Sequence, residues 1–232
     1  MTTPGVPPRD ASAPLRIAVL ASGRGTNLQA LLDARAAGRL PIEVVLVAGD
    51  RAEAPALRRA EAAGVPTVAL DPKGFPDRAA FDRRLFEAVA EQAPALVVLA
   101  GFMRILSPAV LAPWAGRILN IHPSLLPKYP GLHTHARALA AGDTRHGASV
   151  HFVTADLDAG PTLAQAEIPL HPGDTPDAIA RRLLGEEHRL LVASVALVAS
   201  GRVALDGGRV RLDGVALPAP LLLRPDGTLA GA

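Results

Sequence analysis

Asn120 and His122 stand two residues apart at the end of an apolar run, and a proline-rich loop, Pro123-Ser124-Leu125-Leu126-Pro127-Lys128-Tyr129-Pro130-Gly131, follows at once. Side chains at i and i+2 on a strand share a face. The two groups can therefore converge on one atom just beyond the strand end. A carboxamide N–H and an imidazole N–H aimed at one point suit a developing oxyanion. The plain alternative is a core histidine; the neighbouring carboxamide and the loop whose prolines fix φ weigh against it. A carboxylate facing the ring would orient it and stabilise its charged form. The turn Asp156-Leu157-Asp158-Ala159-Gly160-Pro161 offers two, which by composition are also ordinary solvated turn formers.

A second cluster, Gly23-Arg24-Gly25-Thr26-Asn27, lies between an apolar run and a helical pattern. Backbone N–H groups at a helix start attract a phosphate, aided by the helix dipole. The competing reading is an ordinary turn with Thr26 or Asn27 as cap. A dinucleotide fingerprint is disfavoured, because Leu28 occupies the place of its third glycine. His133 and His135, with His122, His146 and His151, raise the question of zinc. No HExxH and no cysteine supports it, so no metal is expected. Glu186-Glu187-His188 reads as a solvated helix face, and Arg181, Arg182 and Arg189 as surface charge.

The elements that must carry these groups follow from periodicity. Residues 15–21, 42–48, 65–70, 95–100 and 117–121 are short apolar runs, and helical patterns cover 28–36, 52–63 and 77–92. Runs apolar on both faces imply a sheet covered on both sides, a doubly wound and mostly parallel α/β arrangement. Residues 101–108 read as a turn, 134–141 as a short helix, and 148–154 and 162–170 as strands that add antiparallel pairing. Residues 175–199 form a long helix capped by Asp174 or Thr175, with Pro176 in its first turn. Leu205-Asp206-Gly207-Gly208-Arg209-Val210 signals a hairpin. Ligands of such sheets bind at the carboxyl ends of the strands, where the glycine turn, the turn from Phe102 to Leu106 and the Asn120–His122 end all fall.

The 232 residues are 49% apolar, with 24 basic against 22 acidic side chains. That balance argues against nucleic acid as a partner. Lysine occurs only at Lys73 and Lys128. The absence of cysteine excludes disulfides and thiol catalysis. No apolar run reaches the roughly 18–20 residues that span a bilayer. Residues 1–14 read as a disordered lead-in without a signal peptide, and 15–232 as one catalytic domain in the cytoplasm.

Ser22 to Ala30, Val97 to Ser107, Leu119 to His133 and the stretch from His151-Phe152-Val153-Thr154 to Pro161 together resemble the folate-dependent phosphoribosylglycinamide formyltransferase family of purine synthesis. The resemblance runs in order over about residues 15–205. It implies transfer of a formyl group from 10-formyltetrahydrofolate, a co-substrate, to the amino group of glycinamide ribonucleotide. Attack would be direct, through a tetrahedral intermediate. Its catalytic trio falls on Asn120, His122 and Asp158. Its ribonucleotide contacts fall on Gly25, Thr26 and Asn27, where relatives often carry serine for Thr26, and on Leu184, Gly185, Glu186 and Glu187, with Glu187 for the ribose hydroxyls. Its folate contacts fall on Arg78, Met103, Arg104, Ile105, Leu106, Asn120, Thr154, Ala155, Asp156, Leu157 and Asp158. The oligomer implied is a monomer or a homodimer.

Two other readings compete. One is another user of formyl folate: a methionyl-tRNA formyltransferase, for which too little chain follows the long helix, or a hydrolase, for which residues 1–14 are too short to be a regulatory domain. The other is a non-catalytic nucleotide-binding module or a dehydrogenase, against which the missing glycine speaks.

Overall fold

The computed structural model describes Val6 and residues 13–231. The expected lead-in over residues 1–14 therefore lies largely outside the described residues. Within it, Val6 packs partly buried against the core.

The apolar runs become strands of one nine-stranded sheet. β1 (Leu15–Leu20) lies between β2 (Ile42–Gly49) and β4 (Leu96–Leu99), parallel to both, and β3 (Thr67–Ala69) extends the β2 side. β5 (Ile118–His122) runs parallel beside β4. β6 (Arg145–Phe152) and β7 (Thr162–Pro169) then pair antiparallel, as expected for the C-terminal half. Alternate residues of β1 serve opposite sides of the sheet. Ile17 and Val19 join one cluster with α1 (Thr26–Ala36), α2 (Pro55–Ala62) and α6 (Pro176–Ala199). Ala18 and Leu20 join the other, with Phe81, Leu85 and Val89 of α3 (Arg78–Glu91). Both faces are dry, which is why these strands carry no polar alternation.

Several boundaries differ from the sequence reading. α1 opens at Thr26, not at residue 28, with Gly25 as its left-handed cap and no side-chain cap bond; neither Thr26 nor Asn27 caps it. Residues 101–108 do form a turn, but Pro108 begins a short helix, α4 (Pro108–Leu111). Four residues are too few for a helical period to show. At α6 the cap is Thr175, whose hydroxyl accepts from the Ala178 N–H.

The hairpin around Gly207-Gly208 forms between β8 (Val203–Asp206) and β9 (Arg209–Leu212), and both glycines have positive φ, as a tight hairpin turn requires. β10 (Val215–Ala216) completes that small sheet. β11 (Leu221–Leu223) and β12 (Leu229–Ala230) were not anticipated. β11 pairs parallel with β7, so the C-terminal additions are not all antiparallel, and β12 closes the edge. Arg189 holds this tail: its guanidinium donates to the Arg224 carbonyl at 2.8 Å and the Pro225 carbonyl at 2.6 Å, and to Glu186 at 2.9 Å. Arg182 pairs with Asp174. Both arginines clasp structure rather than merely decorating a surface. Among the described residues, no helix is long and apolar enough to cross a membrane.

Candidate active site

The strand order changes direction between β1 and β4, and a crevice opens there at their carboxyl ends. Ser22, just after β1, spans it. Its backbone N–H donates to the Gly101 carbonyl at 3.1 Å, and its hydroxyl accepts from the Met103 N–H at 2.9 Å. The glycine turn and the loop after β4 are thereby one rigid unit.

Beside that unit lies a cavity of about 390 Å³ lined by Asn120, His122, Asp158 and residues 103–106 and 154–157. The carboxamide, the imidazole and the distant acid thus share one space. Asn120 and His122 face it from alternate positions of β5. The Asp158 carboxylate comes from the loop after β6, where its backbone is left-handed (φ 51°), a conformation Asp tolerates better than most residues. Its Oδ2 accepts from the Gly131 N–H at 2.8 Å and stands 3.4 Å from His122 Nδ1.

The ring of His122 is oriented from its other side. Nε2 lies 2.9 Å from the Tyr129 carbonyl, which can only accept, so Nε2 carries a proton. Nδ1 is left to exchange a proton on the Asp158 side. The expected N–H of this ring is therefore directed at a backbone acceptor; the reactive edge is Nδ1. Asn120 is oriented too. Its Nδ2 donates to His151 Nε2 at 3.1 Å, while His151 Nδ1–H is directed at the Phe152 carbonyl at 3.1 Å. Burial pushes the His151 pKa down, which keeps Nε2 a free acceptor. One Nδ2–H of Asn120 remains for a ligand.

His151 was not expected among the site residues; among single residues it had been weighed only for zinc. The sequence carried no signal for it: only the antiparallel register sets His151 opposite Asn120, and Ser149 opposite His122. Two further histidines, His135 of α5 (Thr134–Ala140) and His146 of β6, meet. His135 Nδ1 lies 2.9 Å from His146 Nε2, and burial, then the His135 charge, pushes His146 down to about 4. Among the described residues, no group of three His, Cys, Asp or Glu side chains could hold a metal ion.

The glycine turn and α6 form a second cluster, outside the lining of this cavity. Asn27, 8% exposed, donates from Nδ2 to Glu187 Oε2 at 3.3 Å, and its buried Oδ1 has no partner among the described residues. Burial raises the Glu187 pKa, against the opposing Asn27 bond and Arg24 charge. Glu187 is thus no member of a solvated face. Glu186 turns away to Arg189, and Gly185 is exposed. Leu184 is half-buried beside them. Arg78 is exposed at the start of α3 and does not line the cavity.

The rim is apolar. Of the five large hydrophobic side chains exposed among the described residues, Met103, Ile105, Leu132 and Leu157 all border this cavity. The main-chain groups of Arg104, Ile105, Leu106, Ala155 and Leu157 make no hydrogen bond within the described protein. A flat heteroaromatic ligand with donors and acceptors on its edge matches that combination.

Comparison with known proteins agrees. The family model described as formyl transferase matches residues 15–195. The phosphoribosylglycinamide formyltransferase of Escherichia coli is 48% identical over 204 residues, 88% of this chain and 96% of that protein. That of Mycobacterium tuberculosis is 46% identical, covering 89% and 97%. The solved structure of the Coxiella burnetii phosphoribosylglycinamide formyltransferase superposes with a TM-score of 0.84 at 45% identity, covering 94% of this chain and all of that one. With its fold and its sequence in agreement over that span, the chain belongs to the formyl transferase family.

Proposed function

We propose that this chain transfers the formyl group of 10-formyltetrahydrofolate to the amino group of glycinamide ribonucleotide, a step of purine synthesis. The observation that carries the reading is the meeting of Asn120, His122 and Asp158 at one apolar-rimmed cavity joined through Ser22 to the glycine turn that opens α1. The folate would lie along residues 103–106 and 154–158, its ring edge bonded by free main-chain groups. Its acidic tail would reach towards Arg78. The ribonucleotide phosphate would sit on the N–H groups of Gly25, Thr26 and Asn27, with its ribose at Glu187 and Leu184 to Glu186 alongside.

The chain's own groups divide the work. Asn120, held by His151, donates its remaining N–H to the oxygen that gains charge as the amine adds to the formyl carbon. Such a pre-set donor is worth roughly 10²–10³ in rate. His122 Nδ1 faces the same point and passes a proton on the Asp158 side. Asp158 stabilises the charged ring and, with His122, takes up through water the proton that the amine loses; the same pair returns a proton to the folate nitrogen as the intermediate collapses and that nitrogen's bond to the formyl carbon breaks. Holding amine and formyl donor together supplies much of the remaining acceleration. Residues 15–232 act as one unit in the cytoplasm, as monomer or homodimer, with the ribonucleotide phosphate held in the N-terminal half and its ribose by α6.

The test is absorbance of the deformylated folate on mixing protein, formylated folate and glycinamide ribonucleotide. Product should form only when the amine is present. Folate turnover without the amine, unaffected by adding it, would make the protein a hydrolase instead.

A further inference from the structure

The loop between His122 and Gly131 must hold the Tyr129 carbonyl still, because that carbonyl decides which ring nitrogen of His122 carries the proton. Tyr129 has a positive φ of 58°, an uncommon conformation for a bulky residue. Something must hold the loop in that shape. Ser124, fully buried, does part of it: its hydroxyl is directed at the Lys128 carbonyl at 2.6 Å and the Tyr129 carbonyl at 3.3 Å. Ser124 is tied in turn by its own carbonyl to the hydroxyl of Ser149, on β6, at 2.7 Å.

Ser149 is also fully buried, and its hydroxyl has one proton and two lone pairs. The Leu126 N–H occupies one lone pair at 3.0 Å and the side-chain amide of Gln165, on β7, the other at 2.9 Å. With both lone pairs taken, the proton has nowhere to go but the Ser124 carbonyl. The second N–H of the Gln165 amide donates to the Leu126 carbonyl at 2.8 Å. One amide therefore fixes both the direction of the Ser149 hydroxyl and the middle of the loop. Gln165 does not line the cavity that holds His122; it lines a separate one on the other side of the loop.

We propose that Gln165 is a positioning residue for the transfer reaction: through Ser149, Leu126 and Ser124 it holds the Tyr129 carbonyl where it keeps the His122 proton on Nε2. This rests on the role given to His122 above. A purely structural role would lower stability or binding and leave the ring's proton distribution alone.

The test uses the full chain with Gln165→Met, which removes both donors at similar volume, and Gln165→Glu, which keeps the shape and reverses one end. Single-turnover formyl transfer should fall on the order of 10–100-fold, the scale of a small misplacement in an active site. Dissociation constants for both substrates should hold within about twofold. Nitrogen NMR of the histidine rings should show His122 as the Nε2–H tautomer in the wild type and as a mixture in the variants. A wild-type ring protonated on Nδ1 overturns the relay even if neither variant folds. Unaltered tautomers with slowed transfer overturn it too. Altered tautomers with an undiminished rate leave the relay standing and sink the assignment of His122 to the chemistry.

Discussion

Gly25→Ala isolates what the proposed anion cradle demands of its backbone. Gly25 has φ 71°, and a Cβ built there would lie 2.6 Å from the Ala56 Cα and 2.7 Å from its Cβ. Those atoms belong to the first turn of α2 and cannot rotate aside. Gly64, just after α2, has nearly the same φ of 70°, but a Cβ there meets nothing within 4 Å. Gly64→Ala therefore carries only the left-handed backbone penalty, about 1–2 kcal/mol. Gly25→Ala carries that and an overpacking cost of about 1–3 kcal/mol. Urea unfolding of the two variants side by side should differ by that second amount. The relief available to Gly25→Ala is to push α2 away from the turn, which moves the N–H groups facing the phosphate. Calorimetry should show ribonucleotide binding weakened at least about tenfold, a loss of 1.4 kcal/mol, while a folate analogue binds as before. Equal destabilisation by the two substitutions would refute the steric argument. Unchanged ribonucleotide affinity in a folded Gly25→Ala protein would remove the phosphate from this turn.

Three further outcomes are expected. Asp158→Asn and His122→Ala should each slow turnover by roughly 10²–10⁴ with circular dichroism unchanged, the scale of general acid–base groups; near-normal turnover in either removes that residue from the mechanism. The depressed pKa of His146, about 4 against an ordinary 6.5, means that the unfolded chain takes up this proton first. Its contribution to stability is then complete above about pH 6.5 and lost as pH falls towards 4, by roughly 3 kcal/mol at most; urea unfolding at pH 7.5 and 4.5 should show a smaller drop in His146→Gln than in the wild type. Glu187 has its pKa raised by burial, so it favours the folded state at low pH and loses that contribution as pH rises through the folded value. Glu187→Gln should thus be more stable than the wild type at pH 7.5 yet bind the ribonucleotide more weakly, and a variant that loses stability there would contradict the buried charge.

Strands apolar on both faces announced the covered sheet, and β1, β2, β4 and β5 lie close to where periodicity put them. The i, i+2 spacing of Asn120 and His122 was enough to put both on one face, because strand geometry is local. The turn after β1 was likewise legible through its glycines, and Gly25 does adopt the left-handed conformation that opens α1. None of this needed contacts between distant segments.

What the tertiary structure alone decided is whatever depends on register and on backbone atoms. By composition Asp156 and Asp158 looked alike, and the resemblance alone singled out Asp158; the physical reason is the Gly131 N–H and the left-handed backbone, which turn Asp158 towards the ring. Nothing in the identity of Tyr129 tells that its carbonyl binds His122, since every residue has a carbonyl and the fold selects which one is used. Asn120 meets His151 through the pairing of β5 with β6, and Arg189 finds the C-terminal tail only because β11 adds to β7. A sequence states which groups exist and which near neighbours share a face. Which nitrogen keeps its proton is a property of partners brought together from far along the chain.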